Sequence, residues 1–325
     1  MNYRSYSDLS CVIRDNIPLL QSKEFDLIVG LPRSGMIPAY MIALHLNKKC
    51  CDIDSLVNNV ALKTGSTRKS KEDILYPNEA KNILIVDDSI WSGKSLTSEL
   101  LRMPDDIKSK ITTLAIYSTK KVRDDVDLIL EYLPTPRVFE WNIFHHSIVE
   151  RSCFDIDGVL CIDPTEDQND DGEQYVNFLL NALPLMIPTG KVHSLVTSRL
   201  EKYRPQTEDW LKRNGIKYDS LIMLDLPSKE ERQRLGIHAS HKAEAYKKSN
   251  QDLFFESERA QAIEIHRLTK KPVYCIETNE MFTKGKIISA IKSSNNTKKS
   301  YLINLLKKLP KPIYSTFRYF YRLIG

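Results

Sequence analysis

The sequence predicts an α/β protein of two domains, each built on a mostly parallel sheet flanked by helices. Its 325 residues are enough for two domains of ordinary size. Short apolar runs recur and several end at acids or polar loops that lead into helices, a pattern that begins at residues 25–29 and again at 152–160. We therefore expect domains over residues 1–147 and 148–292, followed by a tail over residues 293–325.

The composition indicates a globular protein, since 42% of the residues are hydrophobic and 27% are charged. Residues 1–10 are polar, and no apolar run reaches the roughly 18 residues of a membrane span, so we expect neither a signal peptide nor a transmembrane helix. The six cysteines show no paired metal-ligand spacing. Reduced thiols in a cytosolic protein are the expectation.

The first anion site is predicted directly after the first core strand, residues 25–29. The chain there runs Gly30-Leu31-Pro32-Arg33-Ser34-Gly35 into an apolar helix over residues 37–46. A strand, a tight loop with two glycines and a helix N-terminus together bind anions, and the arginine adds charge-assisted hydrogen bonds.

A second loop of the same kind follows the apolar run at residues 83–86. Two acids, Asp87 and Asp88, come directly after this predicted strand, and a helix begins near Gly93. Carboxylates suit vicinal sugar hydroxyls, whereas backbone N–H groups and a helix N-terminus suit a phosphate. Phosphoribosyl pyrophosphate (PRPP) requires such a pair of acids to bind its ribose and such a loop to bind its 5-phosphate.

This stretch resembles the PRPP-binding motif of type I phosphoribosyltransferases, and the earlier glycine loop resembles their pyrophosphate loop. The resemblance implies that Asp87 and Asp88 hold the ribose during catalysis. It implies PRPP contacts from both loops, namely Arg33, Ser34, Gly35, Asp87, Asp88, Ser89, Ser92, Gly93, Lys94 and Ser95.

Residues 63–71 form a polar, basic stretch without periodicity between the two loops. It is either a solvated surface loop or, as the resemblance implies, the mobile loop that closes over PRPP. We favour the second interpretation, with Lys63 and Arg68 as contacts. Further along, the aromatic side chains of Phe139, Trp141 and Phe144 could stack on an acceptor ring or pack between the domains.

The second domain begins with a strand that ends in Asp155-Ile156-Asp157-Gly158. Side chains two apart on a strand share a face, so both acids point to one spot beyond the sheet. This motif resembles the first motif of the haloacid dehalogenase (HAD) superfamily of phosphatases. The resemblance implies that Asp155 is the nucleophile and Asp157 the acid and base.

Three further segments resemble the remaining HAD motifs in the expected order. Thr197 and Ser198 follow a predicted strand at residues 192–196 and would bind the phosphate together with Lys242. Residues 253–258 form the last strand, whose Glu256 would complete a Mg²⁺ site with Asp155 and Asp157. The room between the first two motifs admits only a small cap.

The tail carries the basic character of the chain. Residues 281–325 hold ten Lys or Arg and no acid, although the net charge of the whole chain is only +5. Leucines at helical spacing and interleaved aromatic and basic residues indicate an amphipathic segment for an anionic membrane surface. Packing on its own domain and contact with nucleic acid are the alternatives, of which we expect nucleic acid least.

Together these resemblances predict a bifunctional enzyme. It would transfer phosphoribose from PRPP to a glycan acceptor and then hydrolyse the 5-phosphate, with Mg²⁺ at both sites, as in the enzyme pairs that supply ribofuranose to bacterial polysaccharides. A lipid-linked acceptor would explain a cytoplasmic protein at the inner face of the membrane. The alternatives are a nucleobase salvage transferase with an attached nucleotide phosphatase, and a PRPP-sensing regulatory protein.

Overall fold

The computed structural model describes residues 1–63 and 74–283, which form two compact units. The first unit is Met1–His146, and the second begins at Ser147. Each has its own mainly parallel sheet flanked by helices, which confirms the predicted fold class at this level. Among the helices in these ranges, none combines the length and the apolar character needed to cross a membrane. The predicted tail lies outside the described residues.

The first unit contains a parallel sheet and a short separate ribbon. Its strands are β1 (Asn2–Arg4), β2 (Leu27–Gly30), β3 (Lys49–Asp52), β4 (Ile83–Ile90), β5 (Ile111–Ser118), β6 (Leu128–Tyr132) and β7 (Arg137–Phe139). Its helices are α1 (Tyr6–Gln21), α2 (Met36–Leu46), α3 (Ile53–Val57), α4 (Lys94–Leu101) and α5 (Asp105–Lys108). The five-stranded sheet has the order β3-β2-β4-β5-β6, and β1 pairs with β7 alone.

Strand β4 is buried on both faces of the sheet, which explains its continuous apolar run. Leu84 and Val86 pack on one face of the sheet with α1 and α2, and Ile83 and Ile85 pack on the other face. The strand is longer than predicted, because pairing with β5 continues as far as Ile90. The two acids therefore belong to the strand itself and not to a turn after it.

The strand order places the two predicted loops side by side. Strands β2 and β4 are neighbours, yet the chain leaves β2 towards β3 and leaves β4 towards β5. Such a reversal opens a crevice at the carboxyl ends of the two strands, where ligands bind in open α/β sheets. The loop after β2 is joined to β4 there, since the N–H of Leu31 donates to the carbonyl of Val86 at 2.9 Å.

The second unit repeats this plan with other strands. They are β8 (Ser152–Phe154), β9 (Val192–Leu200), β10 (Tyr218–Leu224), β11 (Leu253–Glu256), β12 (Val273–Cys275) and β13 (Glu280–Phe282). Its helices are α6 (Glu173–Asn181), α7 (Arg204–Arg213), α8 (Lys229–Leu235), α9 (His238–Lys248) and α10 (Arg259–Thr269). The sheet order is β10-β9-β8-β11-β12-β13, and only β13 runs antiparallel to its neighbour.

The order reverses in this sheet between β8 and β11. The Asp155-Ile156-Asp157-Gly158 segment follows β8, and Glu256 ends β11, so the acids of two predicted motifs reach one crevice. Strand β9 is longer than predicted and includes Thr197 and Ser198, because its pairing with β10 extends to Leu200.

Gly35 lies where the backbone of the loop after β2 packs tightly against β4. A Cβ atom at this residue would lie 2.6 Å from the carbonyl oxygen of Leu31 and 2.8 Å from that of Val86, and both are backbone atoms. We expect Gly35→Ala to lower the free energy of unfolding by about 1–3 kcal/mol, the usual cost of overpacking. Urea unfolding measures this effect.

Gly190→Ala is the matched control, because the nearest atom to its added Cβ is 3.8 Å away. Equal unfolding free energies for the two variants would contradict the close approach at Gly35.

Candidate active sites

In the first unit the carboxylate of Asp88 joins three segments of the chain. The hydroxyl of Ser34 donates to its Oδ1 at 2.7 Å, and the indole Nε1 of Trp141 donates to its Oδ2 at 2.8 Å. Its side chain is buried, with 4% of the residue exposed. The loop after β2, the strand β4 and the segment after β7 therefore meet at one acid.

Asp87, the residue before Asp88 on β4, is half-buried. Burial raises the pKa of its carboxyl, and the neighbouring carboxylate of Asp88 raises it further. A cluster of two acids that resists full ionisation gains from a ligand that donates hydrogen bonds, such as a sugar diol.

The loop from Ser89 to Ser95 leads from β4 into α4. Gly93 adopts a left-handed conformation with φ of 82°, and an added Cβ would lie 1.9 Å from Oδ2 of Asp125. Arg123 stabilises the loop, since it donates to the carbonyl of Trp91 at 2.7 Å and forms an ion pair with Asp125. Ser92, Lys94 and Ser95 are exposed, whereas Ser89 is partly buried in β4.

The predicted cationic contacts lie at the surface or outside the described residues. Arg33 is exposed in the loop after β2. Lys63 is exposed and is the last described residue before the gap at 64–73, into which Arg68 falls.

The predicted aromatic residues pack mainly within the first unit. Phe139 and Phe144 are each 4% exposed and so present no free ring face, whereas Trp141 is half-buried and stacks on Phe139 with ring centroids 4.8 Å apart. The guanidinium of Arg137 lies 5.4 Å from the Phe139 ring, and its buried Nη1 has no hydrogen-bond partner. Burial lowers the pKa of Arg137, which the charges of Asp88 and Asp87 oppose.

In the second unit Lys242 connects the acids of two strands. Its ammonium donates to Oδ2 of Asp155 at 2.6 Å, to Oε2 of Glu256 at 2.8 Å and to the side-chain carbonyl of Gln261 at 3.0 Å. Lys242 is 2% exposed and Glu256 is fully buried. These three contacts use all three N–H groups of the ammonium.

The charges of this cluster depend on each other. Burial raises the pKa of Asp155, while the ammonium of Lys242 opposes this shift. Burial lowers the pKa of Lys242, but Asp155 and Glu256 outweigh it, so the net shift is upward. The lysine is therefore charged at neutral pH.

Asp157 is held by an arginine. The buried guanidinium of Arg199 donates to both carboxylate oxygens of Asp157, with the shortest contact 2.6 Å from Nη2 to Oδ1. The thiol of Cys161 donates to the same Oδ1 at 3.4 Å. Thr197 accepts a hydrogen bond from the N–H of Arg199, and the hydroxyl of Ser198 is buried without a partner.

The predicted Mg²⁺ ligands are Asp155, Asp157 and Glu256, and their oxygen atoms have the right chemistry for this ion. As placed, however, they do not surround a common point. Lys242 lies between Asp155 and Glu256, and Arg199 binds Asp157. Within residues 1–63 and 74–283, no group of three or more His, Cys, Asp or Glu residues is arranged to hold a metal ion. The magnesium site stays a prediction.

Sequence reasoning assigned no site role to Arg123, Arg137 or Arg199. Arg199 follows a predicted motif directly, so its position beside Thr197 and Ser198 was a usable signal. Arg123 and Arg137 carry no such signal, since their roles depend on long-range packing.

Comparisons with known proteins give fold-level likenesses to the first part of the chain. No protein-family model and no curated protein matches the sequence. Among solved structures, a purine phosphoribosyltransferase from Pyrococcus horikoshii is 20% identical with a TM-score of 0.31, over 43% of this chain and 92% of that chain. A xanthine-guanine-hypoxanthine phosphoribosyltransferase from Helicobacter pylori is also 20% identical with a TM-score of 0.33, over 44% and 93%.

We expect Lys242→Met to destabilise the second unit strongly, because it leaves the buried carboxylates of Asp155 and Glu256 without their cation. Breaking a buried ion pair from one side costs about 3–5 kcal/mol. Thermal and urea unfolding measure the loss. The control is Lys248→Met on the same helix, where the side chain is 75% exposed and pairs only with Glu244. A loss as small as that of the control would contradict the buried cluster.

We expect Asp87→Asn to change how stability depends on pH. The raised pKa of Asp87 means that its contribution to stability is present at pH values below its ordinary value of 3.8 and is lost as pH rises through the raised value. The variant lacks this loss, so its melting temperature should exceed that of the wild type by about 2–6 °C at pH 8 and match it near pH 4. The exposed Asp124→Asn is the control, and parallel profiles for all three proteins would refute the shift.

Proposed function

We propose that the first unit transfers the 5-phosphoribosyl group of PRPP to an acceptor and releases pyrophosphate. The observation that carries this proposal is the contact between Ser34 and Asp88, which brings the loop after β2 against the acids of β4. A pyrophosphate on one side and a ribose on the other would then lie across the crevice between β2 and β4.

In this reaction the bond between C1 of the ribose and the pyrophosphate oxygen breaks while the oxygen of an acceptor hydroxyl attacks C1, and the departing pyrophosphate takes up the hydroxyl proton. Asp87 and Asp88 accept hydrogen bonds from the ribose hydroxyls, and the loop at residues 89–95 binds the 5-phosphate through its N–H groups and hydroxyls. Arg33 stabilises the departing pyrophosphate, with Lys63 and Arg68 as further contacts.

We propose that the second unit hydrolyses a phosphomonoester. An oxygen of Asp155 attacks phosphorus and the bond to the ribose oxygen breaks, which forms an aspartyl-phosphate. Asp157 gives a proton to the leaving alcohol and then takes one from the water that releases phosphate. Arg199 contacts both carboxylate oxygens of Asp157 and so fixes its orientation. Thr197 and Ser198 bind the phosphoryl oxygens.

The net product of the two steps is a ribofuranosyl group on the acceptor, and we propose a glycan as that acceptor. Phe139 and Phe144 are buried in their own unit, and the half-buried Trp141 stacks on Phe139 and donates to Asp88. This packing favours a non-aromatic acceptor over a nucleobase that needs a ring to stack on. A lipid-linked glycan on the cytoplasmic side of a membrane, reached through the basic tail, is part of the same proposal.

Incubation with PRPP, Mg²⁺ and a panel of glycan and nucleobase acceptors tests both steps. Pyrophosphate and inorganic phosphate are measured in wild type, Asp87→Asn and Asp155→Asn, with and without EDTA. We expect the glycan to gain the mass of ribose in the wild type and of phosphoribose in Asp155→Asn. Asp87→Asn should lose pyrophosphate release about hundredfold or more.

Pyrophosphate release with a nucleobase alone would replace the glycan proposal by salvage. Binding of PRPP without pyrophosphate release from any acceptor would favour a regulatory protein. Loss of both activities in EDTA would support Mg²⁺ as the cofactor.

A further inference from the structure

The second unit contains a cavity of about 290 Å³ beside the proposed nucleophile. One part of its lining comes from the predicted phosphatase motifs, namely Asp155, Asp157, Thr197, Ser198 and Lys242. Another part comes from residues that no motif predicts, including Asn169, Tyr175, Arg232 and His238. The cation among these four is Arg232.

Lys242 is the cation that the sequence predicts for the phosphate, but its hydrogen-bonding capacity is already used. Its three N–H groups donate to Asp155, Glu256 and Gln261. An incoming phosphate would have to displace one of these acceptors. Lys242 therefore serves first to hold the two buried carboxylates.

Arg232 has the free donor that Lys242 lacks. It lies on α8 with 8% of the residue exposed, and its Nη1 donates to the carbonyl of Ser198 at 2.9 Å. Its Nε is buried and has no hydrogen-bond partner. Arg234, two positions along the same helix, is exposed and pairs with Glu231, so of these two arginines only Arg232 is directed inward.

A second orphan donor lies next to this one. The hydroxyl of Ser198 is buried without a partner, and it belongs to the residue whose carbonyl Arg232 already holds. Buried polar groups without partners are costly, and both of these belong to residues that line one cavity, which indicates a missing ligand with acceptor atoms. An oxyanion supplies acceptors for both and a charge that matches the guanidinium.

We propose that Arg232 and Ser198 form the oxyanion-binding pair of the second unit. The Nε–H of Arg232 and the hydroxyl of Ser198 donate to oxygens of the phosphoryl group that Asp155 attacks. This assignment rests on the proposed phosphatase activity and adds to it the cation that contacts the substrate.

The test compares Arg232→Gln with Arg234→Gln, a matched control on the outer face of the same helix. KM and kcat are measured with ribose 5-phosphate, together with the inhibition constant of inorganic phosphate. We expect Arg232→Gln to raise KM and the inhibition constant about ten- to hundredfold, and Ser198→Ala to raise them less. Arg232→Lys should restore part of the affinity, which a merely structural role would not produce.

An inhibition constant for phosphate that is equal in Arg232→Gln and Arg234→Gln would overturn the assignment. If Arg232→Gln does not fold, Arg232→Lys and Ser198→Ala provide the same comparison. Calorimetric binding of inorganic phosphate to Asp155→Asn, with and without Arg232→Gln, separates the two proposals. If the wild-type protein shows no hydrolase activity while phosphate binding to Asp155→Asn depends on Arg232, only the proposed reaction is overturned.

Discussion

A carboxylate that is withdrawn from water needs hydrogen-bond donors around it, and both units meet this requirement where the strand order of the sheet reverses. The donors differ. In the first unit a hydroxyl and an indole N–H, both neutral, hold Asp88. In the second unit an ammonium holds Asp155 and a guanidinium holds Asp157. One fold plan thus produces two crevices of different charge.

This difference in charge fits two different ligands. Because the donors to Asp88 are neutral, the acid pair keeps acceptor oxygens for the hydroxyls of a sugar. Cations compensate the acids of the second unit, so that a phosphate can approach without strong repulsion. The choice of donors around the acids, more than the acids themselves, distinguishes the two reactions that we propose.

The sequence predicted the elements whose signal is local. It predicted the strands β2, β4 and β11 and the loops that follow them. A buried parallel strand and a glycine turn each show a pattern within a few consecutive residues. The sequence predicts that β4 ends with its apolar run at Val86, because acidic residues are uncommon inside strands. Pairing with β5 continues the strand through the two acids to Ile90. Trp141 and Arg232 reach their sites through long-range packing, which no local pattern shows.

Strand β13 has a consequence for the design of shortened proteins. It covers the edge of β12 that would otherwise present unpaired backbone groups, and its Met281 and Phe282 are almost fully buried. An uncovered edge of this kind invites pairing with another molecule. A truncation meant to remove only the basic tail should therefore keep the chain through residue 283. A cut before β13 would expose the edge of β12 and promote aggregation of the shortened protein.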